Sequence, residues 1–320
     1  MNNIFQYIVG FFINFLNDLQ LFRYLATTTS KNFLMHSRLV FSIFFKYLKN
    51  RSFYKKQIIN LTTLKRNKKT DKLFIFGSGR SLNEIENETW AKIDKNDCLG
   101  FNGSYHLEKV NFTYHVLRAG HEDPTFENKN KLEEEISYAK YTVKKINKNI
   151  FLDKTIFLFS SGISQHFPNL LLGYKLWNKS NQIFQYRTNK VEKYPKGNMH
   201  RGLSHRSGTL IDAITFGYHM GYKEIVLIGV DLYDNQYFWV EAGKTIWFDR
   251  NIREEVISDT TNRGIKYDQP HNTVNNGLIE LINDWNIYFK KNNIKLSVFN
   301  PKSLLNKVLP IYKIWNFILY

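Results

Sequence analysis

The sequence predicts an α/β fold, a Rossmann-like and mostly parallel sheet with helices on both faces, preceded by amphipathic N-terminal helices. Three observations carry this. Short, almost wholly apolar runs recur along the chain and read as strands buried on both sides. Helical patterns lie between several of these runs, and a Gly-x-Gly turn closes the first of them.

The opening segment is set apart by charge. Of the net +17, residues 1–70 carry +11, because 12 Lys and Arg there face a single acid, Asp18. Phe11, Phe12, Phe15, Leu16, Leu19 and Phe22, then Leu39, Val40, Phe41, Ile43, Phe44 and Phe45, recur at roughly helical spacing. The longest uncharged stretch, Met1 to Asn17, is broken by Asn2, Asn3, Gln6 and Asn14. It falls short of the roughly 20 apolar residues that span a bilayer, and no small-residue cleavage site follows a basic start. Two helices lying on an anionic membrane surface are expected, with Lys46, Lys49, Arg51, Lys55 and Lys56 toward the headgroups. A helical hairpin packed on the catalytic domain or on a partner is the alternative. No nucleic-acid partner is expected, since the basic residues concentrate outside the folded domain and no DNA or RNA motif is present.

The run Lys65 to Asp71 reads as a solvated linker, dividing a 1–70 extension from a catalytic domain over 71–320. Lys72–Phe76 is the first strand and Gly77-Ser78-Gly79-Arg80-Ser81-Leu82 a tight turn, with Ser81 and Glu84 as a capping box that starts a helix. Further strands are expected at Cys98–Phe101, Thr113–Leu117, Thr155–Phe159, Glu224–Val230 and Lys295–Phe299. Helices are expected over Gly208–Met220 and Thr273–Lys291, and a surface connection over Lys144–Lys154. The single cysteine, Cys98, lies in an apolar run and excludes an intrachain disulfide and any Cys-based zinc or redox pair, which suits a reducing cytoplasm.

Parallel sheets bind ligands beyond the carboxyl ends of their strands, so candidate residues are sought there. Gly77 and Gly79 allow close backbone approach to a ligand, and the helix expected to follow would offer N–H groups to a phosphate. The third glycine of a dinucleotide fingerprint is missing and the next strand ends in Phe101-Asn102 without an acid, which disfavours NAD and leaves a mononucleotide open. Asn102 could bond a base or ribose, or simply make a turn. Gly229-Val230-Asp231-Leu232-Tyr233-Asp234 closes the fifth run with two carboxylates and a tyrosine, suited to a metal or a ligand hydroxyl or to a plain loop. His271 stands before a helix, where an imidazole works as a general base with little tuning.

Together these blocks resemble the family 42 glycosyltransferases, bacterial sialyltransferases that use CMP-sialic acid without a metal. Gly77 to Leu82 is similar to the family's Gly-x-Gly-Pro-Ser-Leu loop, with Arg80 in place of proline, and Phe101-Asn102 to its next strand end. Ser207-Gly208, Gly221-Tyr222-Lys223-Glu224-Ile225 and Gly229-Val230-Asp231-Leu232-Tyr233 are similar to its Ser-Gly helix, Gly-Tyr-Lys-Glu-Ile turn and Gly-Ile-Asp-Phe-Tyr strand. Asn300 to Leu305 is similar to its Pro-Asn-Ser-Leu-Leu segment, so that order and spacing agree over about 71–307.

The resemblance implies a GT-A-like variant fold and inverting transfer of a nonulosonic acid (sialic acid or a relative) from a CMP-activated donor to a glycan hydroxyl, with no metal or other cofactor. It implies His271 as base, Tyr233 and Tyr237 as donors to the departing phosphate, and Gly77, Ser78, Gly79, Asn102, Ser207, Gly208 and Asp231 around the nucleotide. Arg201 and Arg206 are its candidates for the donor carboxylate or phosphate. With a basic N-terminal segment, it implies a peripheral place on the cytoplasmic face of the inner membrane, a lipid-linked or lipooligosaccharide acceptor, and a homo-oligomer. Two rival expectations stand beside it: a metal-dependent UDP- or GDP-sugar transferase using Asp231 and Asp234, and a non-catalytic membrane-associated assembly protein.

Overall fold

The computed structural model describes residues 32–118, 131–162, 166–190, 194–195, 198–199, 202–205, 208–249, 252–259 and 270–313. Its strands are β1 (Ile58–Ile59), β2 (Lys72–Phe76), β3 (Asp97–Phe101), β4 (Tyr114–Leu117), β5 (Ile156–Ser161), β6 (Ile183–Lys190), β7 (Leu203–His205), β8 (Glu224–Ile228), β9 (Lys244–Asp249), β10 (Glu254–Asp259) and β11 (Lys295–Val298). Its helices are α1 (Asn32–Asn50), α2 (Leu61–Arg66), α3 (Asn87–Ile93), α4 (Lys131–Lys148), α5 (His166–Gly173), α6 (Thr209–His219), α7 (Asn272–Asn275) and α8 (Leu278–Lys291).

Successive residues of the apolar runs face opposite cores. Leu73 and Ile75 of β2 enter one cluster and Phe74 and Phe76 the other; β5 divides Ile156 and Leu158 from Phe157 and Phe159, and β8 divides Ile225 and Leu227 from Val226 and Ile228 in the same way. A strand buried on both faces has no polar side to show, which is why these runs carry no alternation. One face is covered by α2, α6 and α8 and the other by α1, α3, α4 and α5.

The sheet runs β1-β6-β5-β4-β3-β2-β8-β11, with β7 beside β6, and every pair is parallel. This is the Rossmann-like α/β arrangement expected. The chain winds outward from β2 to β6 and then returns to β8 on the other side of β2, so the order reverses between β2 and β8. That reversal is where the carboxyl-end crevice of such a sheet opens.

Several elements depart from the sequence reading. Ser81 caps no α-helix: residues 80–84 form a 3-10 turn, and α3 begins only at Asn87. The helix expected over 273–291 is two, α7 and α8, separated at Gly277 in the left-handed region (φ 74°). Lys144 to Lys148 belongs to α4, and only 149–154 is a connection. β1, β6, β7, α4, α5 and the hairpin β9–β10 had no place in the sequence reading. β6 reads Ile-Phe-Gln-Tyr-Arg-Thr-Asn-Lys, an alternation with a polar side, and so did not stand out as a buried run.

The described part of the N-terminal extension is joined to the sheet. β1 pairs with β6, Leu64 of α2 is fully buried, and Lys69 and Thr70 donate their backbone N–H groups to the buried Asp97 at 2.8 and 3.1 Å. Helix α1 buries Val40, Ile43 and Tyr47, and lies so close to α5 that a Cβ on Gly173 would sit 2.8 Å from the Tyr47 nitrogen. Asn50 Nδ2 donates to the Gly173 carbonyl at 2.6 Å. Lys46, Lys49, Arg51, Lys55 and Lys56 are exposed, as are Phe45 and Phe53. The first of the two expected amphipathic helices lies outside the described residues. No described helix is long and apolar enough to cross a membrane.

Candidate functional site

The carboxyl ends of β2 and β8 are locked together. Gly77 N donates to Ile228 O and Gly79 N to Gly229 O, both at 2.8 Å, so these two N–H groups serve the sheet instead of a phosphate. A Cβ on Gly77 would collide with the Gly229 carbonyl, and one on Gly79 with the Asp231 carboxylate. The glycines are therefore required by chain-to-chain approach. The carbonyl of Ser78 accepts from Phe238 N at 3.2 Å, and Tyr237 makes an isolated antiparallel bridge to Gly79.

Asp231 is the hub of this junction. It is 3% exposed and accepts Ser81 N at 2.9 Å, Ser81 Oγ at 2.5 Å and Asn300 Nδ2 at 2.8 Å. Three donors on one buried carboxylate satisfy most of its acceptor capacity. Asp231 thus ties the first and last blocks of the motif set to the middle one. Asp234 does not share this shell; its Oδ1 accepts Gln236 N at 3.1 Å, and burial raises its pKa.

Beyond Asp231 the backbone is strained. Leu232 is left-handed (φ 65°), an uncommon place for a bulky residue, and its carbonyl accepts His271 N at 3.0 Å. This carries Tyr233 to the rim with Asn300 in hydrogen-bonding reach of its hydroxyl; burial first, and the Asp231 charge second, push the phenol up to about 12. A phenol held protonated is a donor. Tyr237 is half-buried, its pKa also raised by burial, and its ring stacks on Trp239 at 4.8 Å. Trp239 in turn stacks on His106 at 4.5 Å and fills the space a Cβ on Gly103 would need. Arg80 reaches Gln236 at 3.4 Å.

At the end of β3, Asn102 is left-handed (φ 50°) and exposed, and its Oδ1 accepts Thr209 Oγ1 at 3.0 Å. Gly208, just before α6, lies with its Cα side toward Thr273, 3.4 Å from where a Cβ would be. His271 caps α7: its Nδ1 accepts Thr273 N at 3.3 Å and lies 2.9 Å from Thr273 Oγ1. Burial lowers its pKa. Gly77, Gly79, Asp231, Tyr233, Asn102, Gly208 and His271 thus meet along one carboxyl edge, while Arg201, Arg206 and Ser207 lie outside the described residues.

A second polar cluster at this edge was missed. Asp212 of α6, fully buried, accepts Arg118 Nη1 and Tyr186 OH on Oδ2, both at 2.9 Å, and pairs with His205 Nδ1 on Oδ1 at 2.6 Å. Arg118 follows β4, Tyr186 lies in β6 and His205 ends β7, so no local pattern links them. The one legible signal was a lone acid in the otherwise apolar helix Thr209–His219, since carboxylates are almost never fully buried unpaired. No protein-family model matches the chain, and no curated protein matches it.

Proposed function

We propose that the chain is an inverting glycosyltransferase that moves a nonulosonic acid from a CMP-activated donor to a glycan hydroxyl. The observation that supports this best is the convergence on Asp231: Ser81 from the glycine loop and Asn300 from the closing segment both bind it, so the separated blocks of the resemblance form one structural unit.

The nucleotide lies along Asn102 and Gly208. Tyr233, kept protonated, donates to the phosphate as negative charge grows on it, which is electrostatic assistance to a leaving group in place of a cation. Asp231 is a structural carboxylate whose donors already surround it, which speaks against its use with Asp234 as a metal-binding pair. The proton of the acceptor hydroxyl passes to an imidazole at the same edge; the resemblance implies His271, and His205 stands as a second candidate.

Exposed Phe45 and Phe53 among Lys46, Lys49, Arg51, Lys55 and Lys56 support peripheral attachment to an anionic membrane, and with it a lipid-linked acceptor. The test is turnover of a donor panel (CMP-sialic acid, CMP-Kdo, CMP-pseudaminic acid and UDP-hexoses) with and without EDTA. EDTA-insensitive use of one CMP donor is the expected result. Use of a UDP-sugar alone, or dependence on added metal, sinks the proposal; CMP binding without turnover points to an assembly protein.

A further inference from the structure

We infer that the basic pocket between α4 and the closing turn of α5 is a headgroup site for the phosphate of an anionic phospholipid; the inference deepens the membrane attachment proposed above and stands apart from the transferase chemistry. The pocket measures 470 Å³, within the roughly 300–1,000 Å³ of small-ligand sites. Lys140, Lys144, Lys148 and Lys175 line it, together with the buried Val143 and the half-buried Leu176. No described carboxylate pairs with any of these four lysines, and Asp153, in the connection after α4, already pairs with Lys179 at 2.8 Å. Ammonium groups gathered around one hollow without a counter-charge make a site for an anion.

The arrangement runs against what folding alone favours. Lys140, Lys144 and Lys148 are four residues apart on α4, so they stand in one row about 6 Å apart along the axis, the spacing at which like charges repel. The helix dipole accounts for Lys148 in the last turn but not for Lys140, two turns before it. Lys175 is left-handed (φ 54°) where α5 closes, a place that favours glycine, and the next N–H, that of Leu176, donates to Leu171 O at 2.8 Å. Asn147 Nδ2 donates to Asn178 Oδ1 at 2.7 Å and ties the two walls together. The fold thus holds a row of like charges and a strained lysine around one braced hollow.

The surroundings of the pocket point to a lipid. In a parallel sheet the helix between two strands runs back against them, so α4 and α5 both end at the amino edge, opposite the edge where Asp231 and Tyr233 lie. The end of α1 meets them there through Asn50, bound to the Gly173 carbonyl at 2.6 Å. Lys175 Nζ stands 5.0 Å from the centre of the Phe53 ring, which is 64% exposed, and Lys46 Nζ lies 5.7 Å from that of Tyr174. The pocket therefore adjoins the exposed surface of Phe53, Lys49, Lys55 and Lys56. Exposed rings seat at the acyl boundary while neighbouring ammonium groups take headgroup phosphates, and a soluble phosphate makes no use of the rings.

The experiment uses the full chain and vesicles of phosphatidylcholine with or without phosphatidic acid, binding being read by co-sedimentation. Lys144→Gln with Lys148→Gln is expected to lower affinity for the phosphatidic acid vesicles by about 10-fold or more, and Lys175→Gly by about 5-fold. Lys175→Gly also keeps or raises the midpoint of thermal unfolding, since glycine suits its backbone, so its loss of binding is not a loss of fold. The charge-matched control is Lys290→Gln with Lys291→Gln, exposed on α8 across the sheet, and it is expected to bind as wild type does. Calorimetry with inorganic pyrophosphate tests the soluble source. Wild-type affinity in the Lys144/Lys148 variant, an equal loss in the control, or pyrophosphate held at the pocket by a wild type that ignores the vesicles overturns the inference. Phe45→Ser with Phe53→Ser separates the two ideas: loss of binding there, with the Lys144/Lys148 variant unaffected, keeps the attachment and removes the pocket, whereas a wild type that binds no vesicle removes both.

Discussion

Asp231 Oδ2 accepts the backbone N–H of Ser81 at 2.9 Å while Oδ1 accepts its hydroxyl at 2.5 Å. One residue's two donors on one buried carboxylate make a clamp between the strand ends of β2 and β8. Asp231→Asn keeps the shape and removes the charge, and is expected to destabilise the protein by about 1.5 to 3 kcal/mol, the range for hydrogen bonds to a charged group. Urea unfolding followed by circular dichroism measures it; stability unchanged within error would remove Asp231 from its structural role.

Gly79 is fixed by the same clamp. Its φ of −70° suits any residue, so the cost of Gly79→Ala comes from contact alone, with Asp231 and with the Gly229 carbonyl 2.8 Å from the new Cβ. Overpacking of this kind costs about 1 to 3 kcal/mol, and Gly79→Ala is expected to lower the midpoint of thermal unfolding. Since Arg80 is the next residue and only half-buried, Arg80→Ala is the control expected to have little effect.

Tyr233→Phe removes a donor and keeps the ring. In the transferase reading kcat is expected to fall by about 100-fold or more, as for other donors to a developing anion, with the KM for the donor little changed. A fall in KM-linked binding with kcat intact would make Tyr233 a binding residue only.

Stability is expected to fall as the solution is acidified. Burial lowers His106 to about 4 and His115 to about 3. The unfolded chain binds protons near pH 6.5 that the folded chain refuses, so stability is complete above that value and declines below it, down to pH 4 for the first group and pH 3 for the second. Each contributes about 1.4 kcal/mol per pH unit within its window. Chemical denaturation at half-unit steps from pH 7 to pH 4 gives the slope, and His106→Asn is expected to reduce it by one group's share.

For membrane attachment, Phe45→Ser with Phe53→Ser is expected to weaken co-sedimentation with anionic vesicles without unfolding the protein, because both rings are about two-thirds exposed. Binding to vesicles of neutral lipid should be weak for wild type and variant alike. Equal binding by the double variant and wild type would assign the attachment elsewhere or abolish it.

What the sequence by itself determined is the sheet's centre. β2, β3, β4, β5, β8 and β11 were legible because a strand buried on both faces is apolar at most of its positions, and α6 because an apolar helix ending at Gly221 leaves few other readings. The place to seek a site followed, since parallel strands end at one edge. Tertiary structure alone decided what the polar residues do there. Ser81 looked like a helix cap and is a ligand of Asp231, 150 positions away. Asp212, His205, Arg118 and Tyr186 come from four separate elements, and α1, expected on a membrane surface or packed on the domain or a partner, buries Val40, Ile43 and Tyr47 while Phe45 stays exposed. The physical reason is the same in each case: an apolar run needs only to be buried, and any core will serve, whereas a charge or hydroxyl takes its role from the particular partner that folding brings to it.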